Sequence, residues 1–257
     1  MQRDPGTTDM MSANERPVVL VTGAARRIGA TIARTLHAAG YDVALHCRNA
    51  WDELEALVGV LERTRRDSTV ALQADLADAD CLAELVDAAL SRFGRLDGLV
   101  NNASAFHPTP LGTITPTHWD DLFAANARAP LFLAQAAAPH LAERRGAIVN
   151  LVDIYAERPL RGHAVYCMAK AALAMATRAL ALELAPHVRV NGVAPGAVLW
   201  PESGKDEAER QHVIERTPLA RTGTPGDVAD AVLWLLRDAP FTTGEILRVD
   251  GGRALAM

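Results

Sequence analysis

Tyr166 and Lys170 stand four residues apart in an alanine-rich stretch of helical period, which puts phenol and ammonium on one helical face. A cation beside a phenol favours the phenolate and makes tyrosine a usable proton donor near neutral pH. Asp153 lies upstream, at the end of the apolar run Ala147–Leu151, and adds a carboxylate. It can serve as an acid, as a proton relay or as an acceptor that positions Tyr166, and residue type does not choose among these roles. Tyr-x-x-x-Lys alone also fits a packed tyrosine beside a surface lysine.

A second constellation sits near the start of the chain. Thr22-Gly23-Ala24-Ala25-Arg26-Arg27-Ile28-Gly29 follows the first apolar run and leads into a helix pattern. Gly23 permits a tight turn, Gly29 lets the helix approach the sheet, and the helix N-terminus offers N–H groups and positive dipole to a pyrophosphate. Arg27 takes the place of the usual middle glycine. The position between first strand and first helix points to a dinucleotide site rather than an ordinary glycine turn. At the tip of the second strand, His46-Cys47-Arg48-Asn49 offers no carboxylate for the ribose 2′-hydroxyl of NAD. His46 and Arg48, with Arg26 or Arg27 from the loop, suit the 2′-phosphate of NADP, so NADPH/NADP+ is expected. The alternative for Arg48 is a solvated surface arginine.

The elements that must position these groups alternate. Strands are predicted at Val18–Val21, Asp42–His46, Val70–Gln73, Gly98–Val100, Ala147–Leu151, Arg189–Val193 and Ile246–Val249. Between them helices are predicted at Ile28–Ala39, Asp52–Arg65, Ala79–Phe93, Trp119–Ala142, His163–Leu184 and Thr224–Leu236. The alternation predicts an α/β, Rossmann-type doubly wound parallel sheet of about seven strands with helices on both faces. Strands apolar on both sides fit a sheet covered on both faces. One domain over 17–257 is expected, with residues 1–16 as a flexible tail in which Met10 and Met11 could also begin translation. The polar excursion Trp200–Thr217 is expected to be a substrate lid.

Composition narrows the function. The chain has 257 residues, a formal charge of −5 and 22% charged residues, and its mean hydropathy is +0.04. That disfavours nucleic acid and anionic membranes as partners. No uninterrupted apolar run reaches about 18 residues, so no membrane span is expected. Cys47, Cys81 and Cys167 are scattered and odd in number, which speaks against a disulfide scaffold or a cysteine zinc site and suits the cytoplasm. His107, His118, His163 and His187 have no ligand spacing and are taken as surface or core histidines; Glu202, Asp206, Glu207 and Glu209 fit a solvated lid face, so no metal is expected.

With these motifs in order, together with Asp75-Leu76, Asn101-Asn102-Ala103, Asn126, Asn191, Pro195-Gly196, Thr243-Gly244 and Val249-Asp250-Gly251-Gly252, the chain resembles the short-chain dehydrogenase/reductase family over Val18–Gly252. The resemblance implies that Asp75, Leu76, Asn102 and Ala103 line the adenosine side, with Ile28 and Asn49 also at the cofactor. It implies that Asn126 supports Lys170 through water and that Pro195-Gly196 faces the nicotinamide. Two departures, Asp153 where most members have serine and Arg27 where most have glycine, look like the pteridine reductases. So does the stretch Asn101-Asn102-Ala103-Ser104-Ala105-Phe106. That likeness implies a pterin or folate substrate held by Arg27, Ser104, Phe106, Asp153 and Tyr166, with Leu199 and Trp200 beside it, and a homotetramer built on the alanine-rich helices. A flat heteroaromatic does need a stacking face and a few fixed polar groups; Phe106 also fits a core position and Ser104 a turn. An ionised carboxylate at 153 would oppose the alkoxide of a reduced ketone, whereas reduction of C=N needs a proton at ring nitrogen. Alternatives are a dihydromonapterin reductase, a 3-oxoacyl thioester or ketone reductase, and a non-catalytic NADP-binding protein, the last disfavoured by the Tyr166–Lys170 pair.

Overall fold

In the computed structural model, residues 16–199 and 207–257 are described. The first half runs β1 (Val18–Val21), α1 (Arg27–Ala38), β2 (Asp42–Cys47), α2 (Trp51–Thr64), β3 (Thr69–Gln73), α3 (Cys81–Phe93) and β4 (Gly98–Asn101). The second runs α4 (Pro116–Phe123), α5 (Ala129–Arg144), β5 (Ala147–Leu151), α6 (Ala164–Leu184), β6 (Arg189–Pro195), α7 (Glu207–Glu215), α8 (Pro225–Arg237) and β7 (Ile246–Val249).

The β-branched runs form strands because both of their faces can be buried. In β1, Val19 and Val21 enter one core with Ile32 and Leu36 of α1, Leu54 of α2 and Val232 of α8. Val18 and Leu20 enter the opposite core with Leu85 of α3, Leu133 of α5 and Leu180 of α6. Period-two alternation thus feeds two apolar layers rather than one layer and solvent. The strands are all parallel in the order β3-β2-β1-β4-β5-β6-β7. The order reverses between β1 and β4, so helices leave on opposite sides and a crevice opens at the carboxyl ends there. This is the Rossmann-type architecture expected from the sequence.

Three expectations need correction or limits. The single helix Trp119–Ala142 is two helices, α4 and α5, joined by a π-helical turn at Ala124–Arg128. A Thr115–His118 capping box with Pro116 starts α4 earlier than expected. Within the polar excursion, residues 207–215 form α7, where among the described residues only Val213 is buried; Trp200, Glu202 and Asp206 of the expected lid, and the expected tail up to residue 15, lie outside the described residues. Among the described helices, α6 is long and apolar enough to cross a membrane, but half of that stretch is buried within the protein. Its Leu173, Ala174, Leu180 and Ala181 pack in the core, which accounts for its composition.

Candidate active site

The glycine loop leaves β1 at the switch point. Gly23 has φ 63°, and a Cβ there would lie 2.9 Å from Cα of Ala103. A Cβ on Gly29 would lie 2.1 Å from the carbonyl oxygen of Gly23, so α1 approaches this turn more closely than any side chain allows. Asn102 fastens the turn from β4: its Nδ2 donates to the carbonyls of Thr22 and Gly23, both at 2.9 Å. Buried Thr22 accepts the N–H groups of Asn102 and Ala103 on Oγ1, each at 3.0 Å. The result is a cradle of backbone held at a helix N-terminus, which fits a dinucleotide pyrophosphate. Arg27 sits in it with φ 53°, a left-handed conformation in which glycine is unstrained.

A cleft of about 500 Å³ extends from this cradle, lined by Arg26, Arg27, Ile28, Arg48, Asn49 and Asp75, among others. Leu76, Asn102, Ala103 and Ser104 also line it, so the expected cofactor residues from β1 to β4 are brought together. Arg48 is exposed at the mouth. Arg26 pairs with Glu53 of α2. His46 departs from expectation. It is buried, accepts the Gly23 N–H on Nδ1 at 3.3 Å and places Nε2 3.1 Å from the carbonyl of Ala74. Burial lowers its pKa, so His46 is a neutral strut between the glycine loop and the end of β3, not a cation for a phosphate.

Asp153, Tyr166 and Lys170 lie outside that cleft, beyond the carboxyl end of β5. The Tyr166 hydroxyl donates to Oδ2 of Asp153 at 2.7 Å, while Oδ1 accepts the N–H of Tyr155 at 2.9 Å. Burial, and then the adjacent carboxylate, push the phenol well above its usual pKa. Burial also raises Asp153. Lys170 is fully buried and donates Nζ to the carbonyl of Leu151 at 2.8 Å, with Nζ 5.8 Å from the Tyr166 ring centre. Burial lowers its pKa to about 8. Burial, and then the carboxylate of Asp153, thus outweigh the expected effect of Lys170, which does not make the phenol acidic here. Tyr166 keeps its proton, on a path to a carboxyl group.

Asn126 occupies the π-helical turn. Its Nδ2 donates to the carbonyls of Ala105 (2.8 Å) and Leu122 (2.9 Å), and its Oδ1 accepts the Ser104 hydroxyl at 2.7 Å. The side chain thus holds the Ser104–Ala105 segment. Phe106 is 47% exposed, which removes the core alternative. Its ring lies edge-on to Tyr166 at 4.8 Å and stacks on His163.

Pro195 ends β6 and Gly196 follows it, close against Asp250. Asp250 in turn accepts the N–H groups of Gly252 and Ala254. Leu199 is 39% exposed. Two features escaped the sequence. His163 belongs to the aromatic wall, and only its place three residues before Tyr166 could have indicated it. A buried chain from Asn101 through Asn150 to Thr177, with bonds of 2.8 and 2.9 Å, ties β4 and β5 to α6. Among the described residues no cluster of His, Cys, Asp and Glu could hold a metal ion.

A backbone cradle at the switch point and a proton-holding tyrosine beyond the next strand define a Rossmann-fold oxidoreductase that uses a nicotinamide cofactor. Residues 23–254 match the family model described as Enoyl-(Acyl carrier protein) reductase, and the chain belongs to the short-chain dehydrogenase/reductase family. It is 38% identical to pteridine reductase 1 of Leishmania tarentolae across 96% of this chain and 99% of that protein. It is also 38% identical to granaticin polyketide synthase putative ketoacyl reductase 2 of Streptomyces violaceoruber, across 95% and 98%. Identity is 37% to the 3-oxoacyl-(acyl-carrier-protein) reductase FabG of Staphylococcus aureus, across 91% and 96%.

Proposed function

We propose that the protein is an NADPH-dependent pteridine reductase acting on C=N bonds of dihydropterins such as dihydrobiopterin, or of dihydrofolate. One observation carries the reading: the Tyr166 hydroxyl is given to the Asp153 carboxylate at 2.7 Å, where a ketone reductase needs a hydroxyl donor. A carboxylate there opposes a developing alkoxide but serves a ring nitrogen that must gain a proton. When bound, the nicotinamide supplies the hydride. Tyr166 holds the transferable proton at Oη; once that proton has gone to the ring nitrogen, Asp153, whose pKa burial raises, takes up a proton from water and returns it to the phenolate. Lys170 provides positive charge under the pair, and Asn126 holds Ser104 and Ala105 in place.

Gly23, Ile28, Gly29, Asn102 and Ala103 form the pyrophosphate and adenosine wall with Asp75 and Leu76, and Arg48 meets the 2′-phosphate beside Asn49, with Arg26 and Arg27 adding charge. Pro195 and Gly196 border the nicotinamide. Arg27, Ser104, the open face of Phe106 and Leu199 hold the pterin. A single catalytic domain over 17–257 works in the cytoplasm, consistent with three free cysteines. Homotetramer formation through α5 and α6 is supported by the exposed Leu131, Phe132, Met168, Met175 and Leu182. Titration of methotrexate into the NADPH complex tests the pocket: low-micromolar binding is expected, and none at high micromolar concentration contradicts it. A dihydromonapterin reductase is the nearest variant of this reading. Likeness to ketoacyl reductases favours a second, reduction of 3-oxoacyl thioesters, which acetoacetyl-CoA turnover without pterin turnover would select.

A further inference from the structure

His163 occupies the N-cap position of α6, where Ser, Thr, Asp or Asn usually accepts a backbone N–H. Its side chain makes no such bond. Instead Nδ1 lies 3.0 Å from the carbonyl of Arg161, to which the Nδ1–H donates. The imidazole lies nearly flat on Phe106, with centroids 4.8 Å apart and planes 14° apart, and Phe106 meets Tyr166 at 85°. The backbone holds these rings in register. The N–H of Thr109, three residues after Phe106, donates to the carbonyl of Gly162 at 2.6 Å, and Thr109 and His163 form an isolated parallel bridge. Thr109 is fully buried, so this junction is part of the packed structure.

We infer that His163 is a substrate-positioning residue: its imidazole backs Phe106 and fixes that ring beside Tyr166, so a planar heteroaromatic meets a single pre-set face. The inference rests on the pterin reading above. An exposed phenylalanine on a loop otherwise samples several rotamers, and ordering it on binding weakens affinity. Stacking on a neighbour whose own ring is tied to a carbonyl removes that freedom beforehand. Because the imidazole bonds to the Arg161 carbonyl while the Tyr166 hydroxyl bonds to Asp153, the effect of His163 falls on binding rather than on proton transfer. Any flat ring of similar size performs the task.

The test compares the parent with His163→Ala and His163→Phe in NADPH-dependent reduction of dihydrobiopterin, alongside acetoacetyl-CoA. Alanine is expected to raise KM for dihydrobiopterin about 3- to 10-fold, with kcat within about twofold and NADPH affinity unchanged. Phenylalanine is expected to restore the parent KM. An unchanged KM in the alanine variant overturns the inference, and so does a fall in kcat without a change in KM. A lower KM overturns it too, since the imidazole would then be covering the substrate's own place. If the alanine chain fails to fold, His163→Gln, which keeps bulk without a ring, must show the same rise. A parent that reduces no dihydrobiopterin defeats the pterin reading and this inference together; a parent that does, with KM indifferent to residue 163, defeats this inference alone.

Discussion

The Tyr166 hydroxyl donates to Asp153 across 2.7 Å, and burial pushes both groups toward their protonated forms. Such a pair holds a proton close to neutrality without releasing it to solvent. It can give that proton to an acceptor more basic than a carbonyl oxygen, which is what a ring nitrogen becomes as hydride reaches the adjacent carbon.

Tyr166→Phe removes the hydroxyl and keeps the ring that packs against Phe106. Dihydropterin reduction is expected to slow by roughly 10²–10⁴, with NADPH binding, followed by fluorescence, unaltered. Full activity would place the proton source elsewhere.

Asp153→Asn keeps the shape and removes the titrating group. It is expected to lower kcat/KM by at least about tenfold and to abolish one limb of the pH–rate profile. Near-parent activity would reduce Asp153 to a positioning acceptor. Asp153→Ser is expected to lose pterin reduction and to gain weak turnover of simple ketones.

Lys170 sets the alkaline side. Burial lowers its pKa to about 8, so its charge is complete below that value and disappears as pH rises through it. The kcat/KM profile is therefore expected to fall above about pH 8. Lys170→Met should be slow at every pH and lack that limb. A parent profile flat to pH 10 would contradict the role.

Cofactor choice now rests on Arg48, with Arg26 and Arg27 beside it, and without His46. NADPH is expected to be preferred, and Arg48→Ala to reduce that preference by about tenfold, read as the ratio of kcat/KM values. His46→Ala removes a buried ring bonded on both sides. It should lower stability by about 1–3 kcal/mol while leaving the NADPH/NADH ratio alone; a changed ratio would restore His46 to the phosphate site.

Strand positions were legible because a strand buried on both faces needs a short β-branched run, and Val18–Val21 or Ala147–Leu151 can be little else. The break between α4 and α5 was legible only in part. Pro130 at the start of α5 has no N–H for the i→i−4 ladder, which is a sequence signal for a break, but the π-turn before it holds Asn126, whose side chain bonds to a distant loop, and helix propensity carries no trace of that. The α7 helix was hidden because it buries too little to show an apolar stripe. Asp153, Tyr166 and the glycine loop were readable from residue type and order. The state of His46 was not, because residue type alone cannot separate a neutral buried imidazole from a surface cation. The tie between His163 and Phe106 depends on a junction between segments more than fifty residues apart.

A pterin pocket served by a carboxylate–tyrosine pair selects its substrate by the acceptor of the proton. The most direct measurement is NADPH oxidation with dihydrobiopterin, dihydrofolate and acetoacetyl-CoA under one set of conditions, compared as kcat/KM. A value for a dihydropterin or dihydrofolate at least about 100-fold above that for the thioester, an advantage of about 2.7 kcal/mol in transition-state binding, is the expected result. Turnover of acetoacetyl-CoA with none of either pterin substrate would contradict it.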